Sequence, residues 1–133
     1  MYRMLAKPLL KTSFLAAIVL AAGLLWPALS WASELVMFEQ GACVWCARWN
    51  RDVGPVYDKT AEAKVLPLRR VDIGQQSEAG ITLAAPVIYT PTFVVVDNGR
   101  EIGRITGFIS DEAFWGLLDT FVAKLEHPSD PTI

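Results

Sequence analysis

The stretch "ACVWCARW", residues 42–49, holds the only two cysteines of a 133-residue chain, at positions 43 and 46. Just before it, "ELVMFEQ" (34–40) is an apolar run of strand length that ends at Gly41. Just after it, Val44 begins a stretch of helical character reaching about Ala63. Cys43 therefore falls at a helix start, and Cys46 lies one turn on, on the same face. Unpaired backbone N–H groups and the positive end of the helix dipole favour a thiolate there. In such motifs they lower the thiol pKa from about 8.5 to roughly 3.5 to 7.5. A thiolate at Cys43 can attack a disulfide to give a mixed disulfide, and Cys46, tethered within reach, can attack that bond and release the partner.

Other uses of two cysteines fit less well. A structural zinc site takes four ligands, and the remaining chain offers no further cysteine and one histidine, His127. Covalent haem attachment needs histidine directly after the second cysteine, where this chain has Ala47. Buried thiols acting as small apolar groups are at odds with Gly41 and Ala42, which read as a surface loop. A purely structural disulfide stays open beside the redox pair, although so short a loop constrains little of the unfolded chain. The expectation is no metal and no cofactor.

Outward from the pair, Gly54-Pro55 falls inside the helical stretch and predicts a kink or break, because proline removes a backbone hydrogen bond and crowds the preceding turn. "KVLPLRRVDI" (64–73) has the aliphatic content of a second strand, and "GQQSEAGITLAAPVIYT" (74–90) shows no period and reads as a loop with one short helix. "PTFVVVDNGREIGRITGF" (91–108) is clearer. Two apolar runs flank Asn98-Gly99, a pair that tolerates the positive φ of a type I′ turn, so the runs form an antiparallel hairpin. In "SDEAFWGLLDTFVAKLE" (110–126), Ser110 caps a helix, Asp111 and Glu112 complement its N-terminus, and Lys124 sits in the last turn. Phe114, Leu117, Leu118, Phe121 and Leu125 give it one apolar face. The order β-α-β-(α)-β-β-α predicts an α/β fold, a central mixed β-sheet flanked by helices.

The N-terminus carries Arg3, Lys7 and Lys11, then no charge until Glu34, around the apolar "FLAAIVLAAGLLW" and the small-residue "PALSWAS". Residues 1–32 thus read as a signal peptide cleaved after Ala32, or as an uncleaved N-terminal anchor; either exports residues 33–133 as one domain. That domain keeps nine basic and all fourteen acidic residues, a net charge of −5, which argues against nucleic acid or anionic lipid as partner.

Strand, Cys-x-x-Cys at a helix start, strand, "TP" opening a third strand, Asn-Gly hairpin and final amphipathic helix together resemble the thioredoxin fold across nearly all of residues 34–126. The resemblance implies that Pro91 is cis and lies beside the cysteines, and that Thr90 offers backbone groups to an extended substrate segment. More narrowly, "MFEQGACVWCARWNRDVGPVYDKTAEAKVLPLRRVDI", "TPTFVVVDNGREIGRITGF" and "FWGLL" resemble the exported thioredoxin-like SoxS proteins of bacterial sulfur oxidation. That resemblance implies a periplasmic thiol:disulfide oxidoreductase, a reductase of the sulfur carrier SoxYZ, supplied with electrons by a membrane thiol transporter.

The chain also departs from ordinary thioredoxins. Val44-Trp45 stands between the cysteines in place of Gly-Pro, so the reduction potential is not readable within the family range of about −270 to about −120 mV. The acid that thioredoxins bury in the first strand falls near Met37, which moves no protons. Glu39 is the nearest carboxylate, either assisting the resolving step or simply solvated. Val44 and Trp45 are expected on an apolar contact surface beside Cys43, Trp49 in the core, and His127 on the surface at a helix C-terminus. Two other functions remain: an exported oxidant or isomerase, and a non-catalytic binding module with a structural disulfide.

Overall fold

The computed structural model describes residues 33–128, so the signal or anchor expected at 1–32 lies outside the described residues. The elements are β1 (Glu34–Glu39), α1 (Val44–Asp52), α2 (Gly54–Tyr57), α3 (Ala61–Val65), β2 (Leu68–Asp72), a 3₁₀ segment (Ile73–Glu78), β3 (Thr92–Asp97), β4 (Arg100–Thr106) and α4 (Asp111–Glu126). The strands form one sheet in the order β2-β1-β3-β4. β1 pairs parallel with β2 and antiparallel with β3, and β3 pairs antiparallel with β4, so the sheet is mixed as expected.

β1 is apolar on successive residues because both of its faces are covered. Leu35 and Met37 enter a core shared with Trp49, Tyr57, Phe93, Phe114 and Leu118, which brings α1, α2 and α4 onto one face. Val36 and Phe38 point to the other face and meet Val94, Val96 and Val87. No helix packs there among the described residues; the 3₁₀ segment and the irregular chain after it supply Ile73, Ala79, Ile81 and Leu83 instead.

The expected break at Gly54-Pro55 is present. The Val53 N–H still reaches the Trp49 carbonyl at 2.9 Å, and Pro55, lacking an N–H, sits in the first turn of the next helix. A second break follows, where Thr60 caps α3 by accepting from the Ala63 N–H at 3.2 Å. Lys64 and Val65, expected to open the second strand, are therefore the end of α3, and the strand starts at Leu68. At the hairpin, Asn98 and Gly99 have φ of 50° and 75°, both in the left-handed region that a type I′ turn requires.

Ser110 caps α4 through the Ala113 N–H at 3.2 Å. Phe114 and Leu118 are buried, with Trp115, Phe121, Val122 and Leu125 packed beside them. Leu117, expected on the same face, is half exposed. The helix contacts the sheet along the 114-118-121-125 line, which leaves Leu117 on its flank. Close approach of α4 to β4 depends on Gly103, since a Cβ there would fall inside the Phe121 ring. Gly103→Ala is accordingly expected to destabilise the fold by about 1–3 kcal/mol through overpacking, measured by chemical denaturation. Gly103→Ala combined with Phe121→Leu should recover part of that loss.

Candidate active site

Cys43 is the residue immediately before α1, with extended backbone (φ −82°, ψ 105°) and its sulfur turned back over the helix start. It is bonded to Cys46 in a disulfide, Cα atoms 5.2 Å apart. The Cys43 Sγ described here is a disulfide sulfur and stands in for the thiolate of the reduced form. Two donors are aimed at it: the Cys46 backbone N–H at 3.1 Å and the Thr90 hydroxyl at 3.3 Å. Cys46 receives no such attention and is buried, whereas Cys43 is half-buried and reachable. The surroundings of the pair are asymmetric, with one sulfur reachable and met by two donors and the other shielded.

Trp49, one turn beyond Cys46, holds this helix start in place. Its ring packs against Phe93 at 5.2 Å and Phe114 at 5.7 Å between centroids. The expected assignment of Trp49 to the core and Trp45 to the surface is what the structure has: Trp49 is fully buried, Trp45 is 51% and Val44 75% exposed. Arg48, which sequence reasoning passed over, lies over both the Trp45 ring (5.7 Å) and the Phe108 ring (5.9 Å). An Arg three residues after a Trp on a helix is a signal for such stacking.

The Thr90–Pro91 peptide is cis, and Pro91 is buried at the mouth of β3. The Pro91 carbonyl accepts from the Gly107 N–H at 2.7 Å, which draws the turn after β4 to the same place. Ile88, Tyr89 and Ile109 are exposed on these two loops, and none was picked out in the sequence because they lie in segments without period.

Glu39 is not simply solvated. It accepts from Arg70 at 2.8 Å, Arg70 also donates to Asn50 at 2.7 Å, and the same guanidinium lies over Trp49 at 5.4 Å. With Cys43, Cys46 and Ala47, Glu39 lines an open cleft of about 390 Å³. His127 is exposed at the C-terminal end of α4. No group of three or more His, Cys, Asp or Glu among the described residues could hold a metal ion, and no helix among them is long and apolar enough to cross a membrane.

A family model described as a thioredoxin-like domain matches residues 32–121. The chain belongs to the thioredoxin-like family. The periplasmic thioredoxin SoxS from Paracoccus pantotrophus, in its reduced form, is similar at 36% identity, covering 69% of this chain and 97% of that one with a TM-score of 0.66. A thioredoxin from Thermus thermophilus shares the fold at 18% identity, covering 86% of both chains with a TM-score of 0.52. Fasciola hepatica thioredoxin does so at 21% identity, covering 80% of this chain and 89% of that one with a TM-score of 0.50. A comparison with curated proteins finds no match. A thioredoxin fold bearing Cys43 and Cys46 as a Cys-x-x-Cys disulfide is that of a thioredoxin-like thiol:disulfide oxidoreductase.

Because the Thr90 hydroxyl points at Cys43 Sγ, Thr90→Val should slow alkylation of the reduced protein by iodoacetamide near neutral pH roughly three- to tenfold, the worth of one ordinary hydrogen bond of about 0.7–1.4 kcal/mol. An unchanged rate would mean that the hydroxyl contributes nothing to the thiolate.

Proposed function

We propose that the chain is an exported thiol:disulfide reductase in which Cys43 is the nucleophile and Cys46 the resolving thiol. The observation that carries this reading is the asymmetry of the pair: both donors converge on Cys43 Sγ while Cys46 lies buried beneath it. In the reduced protein, the Cys43 thiolate attacks one sulfur of a partner disulfide. That S–S bond breaks, the departing partner sulfur leaves as a thiolate and takes a proton, and a mixed disulfide to Cys43 forms. Cys46 then loses its proton and attacks Cys43 Sγ, the mixed disulfide breaks, and the partner's second sulfur leaves. Two electrons have passed to the partner, and the chain is left as the Cys43–Cys46 disulfide.

The surroundings divide the remaining work. An extended partner segment would lie along Thr90, using the backbone next to Pro91 as an added strand, with apolar side chains against Val44, Trp45, Tyr89 and Ile88. Glu39 lines the cleft that borders Cys46, which supports it as the acceptor of the resolving thiol's proton, and Arg70 fixes its orientation.

Residues 1–32, read as a signal peptide or anchor, support export to the periplasm, the likeness to a periplasmic thioredoxin supports the same compartment, and the sequence resemblance to SoxS proteins supports reduction as the direction. That sequence resemblance makes the sulfur carrier SoxYZ the proposed partner and a membrane thiol transporter the proposed electron donor. Cys46→Ser removes the resolving thiol, so partner adducts should accumulate through Cys43 and dissolve with dithiothreitol. Their absence from the exported fraction, with no reduction of any mixed disulfide by the purified dithiol, would refute the reading.

A further inference from the structure

The loop that ends at Thr90 belongs to a stretch of chain with little regular structure, and side chains from elsewhere hold it. Between the 3₁₀ segment and β3 the backbone has few neighbours with which to form ladders, so its polar groups need other partners. Gln76 supplies one set. Its side-chain oxygen accepts from the Val87 N–H at 2.8 Å and its amide nitrogen donates to the Val87 carbonyl at 3.1 Å, so that one side chain takes the place of a neighbouring strand. The same nitrogen reaches the Ile73 carbonyl at 3.2 Å.

The ion pair of β4 supplies a second set. Glu101 Oε2 accepts from the Ala84 N–H at 2.7 Å, and Arg104 Nη2 donates to the Ala85 carbonyl at 2.7 Å and to Glu101 Oε2 at 2.6 Å. Beside them Thr82 bonds to the outer edge of β4, its N–H to the Gly99 carbonyl at 2.9 Å and its carbonyl accepting from the Glu101 N–H at 3.0 Å. Burial pushes the Glu101 carboxyl up, and the hydrogen bonds from Arg104 and the Ala84 amide more than reverse it, holding it below the ordinary carboxylate value.

Between them these anchors fix Ala84, Ala85 and Val87, and Val87 is buried in the second core. The next three residues are Ile88 and Tyr89, 73% and 67% exposed, and Thr90 on Cys43. From Val87 to Pro91 the further hydrogen bonds are the Thr92 hydroxyl to the Tyr89 carbonyl at 2.6 Å and the Gly107 N–H to the Pro91 carbonyl at 2.7 Å, both on the downstream side. The segment is thus held downstream by Cys43, Thr92 and Gly107, and upstream through Val87 and the side chains that fix it. We infer that Gln76, Glu101 and Arg104 are positioning residues that pre-order the 88–90 segment for an incoming extended protein substrate. The inference rests on the reading of Thr90 as the docking strand. Its chemistry is entropic: an anchored segment is ordered before the substrate arrives, and a loose one must be ordered by the substrate.

The test compares wild type with Gln76→Ala, Gln76→Glu and Glu101→Gln, each reduced by dithiothreitol, against bovine insulin and against the small disulfide 5,5′-dithiobis(2-nitrobenzoate). Gln76→Ala and Glu101→Gln should raise KM for insulin about tenfold, the worth of one or two lost hydrogen bonds, with kcat retained. The insulin to small-disulfide rate ratio should fall to match. Gln76→Glu keeps the acceptor for Val87 N–H and loses the donor, so it should fall between. Amide exchange at Val87 should quicken in Gln76→Ala, and at Ala84 in Glu101→Gln. Faster exchange with an unchanged KM for insulin overturns the inference while leaving the reductase reading intact. A wild-type protein that reduces the small disulfide but not insulin overturns the inference and leaves the reductase reading intact, whereas one that reduces neither, with no adduct on Cys46→Ser, overturns both.

Discussion

Trp49, wedged fully buried between Phe93 of β3 and Phe114 of α4, fixes both the position of α1 and its roll about its own axis. The chemistry follows from that placement. With Trp49 inward, Cys46 one turn before it is also inward, and Val44, Trp45 and Ala47 are turned to solvent. Cys43, just outside the helix, is left where the free N–H of Cys46 reaches its sulfur. Rotation of α1 would exchange the shielded sulfur for the reachable one. Arg70, lying over the same indole while holding Glu39 and Asn50, links the carboxylate on the Cys46 cleft to the residue that sets the helix.

The two faces of the sheet are covered by different means. One is packed by helices with an aromatic cluster, which gives a stiff support for α1. The other is covered by chain with little regular structure, held through Gln76, Glu101 and Arg104 and plugged by Val87. Such a cover needs side-chain partners for its backbone polar groups, at the cost of one long polar side chain and an ion pair with most of the Glu101 side chain withdrawn from water. In return, a single continuous stretch both covers β1 and β3 and delivers Thr90 to Cys43.

Features governed by short-range rules were legible in the sequence. The Asn98-Gly99 turn, the Ser110 cap, the break before Pro55 and the position of Cys43 at a helix start each depend on a few adjacent residues. The order of those features carries the resemblance to the thioredoxin fold, and it is that resemblance which implies Thr90-Pro91 beside the cysteines. What was not legible depends on partners far away in the chain. Glu39 meets Arg70 across 31 positions, and Gln76 meets Val87 across 11 in a stretch with no hydrophobic period. Lys64 and Val65 looked like strand because aliphatic content alone does not separate a short helix from a strand. Leu117 fits the helical period and still faces outward, since the line of contact is set by how closely Gly103 lets Phe121 approach.

The central claim is that the fold makes Cys43 the charged, attacking sulfur and Cys46 the shielded one. The direct measurement is the pH dependence of iodoacetamide alkylation of the reduced wild-type protein, with the labelled residue located by peptide mass mapping. The account predicts label on Cys43 and a rate whose midpoint lies below about 7.5, within the range of thiols at helix N-termini. Label arriving first on Cys46, or a midpoint near the ordinary thiol value of about 8.5, would contradict it.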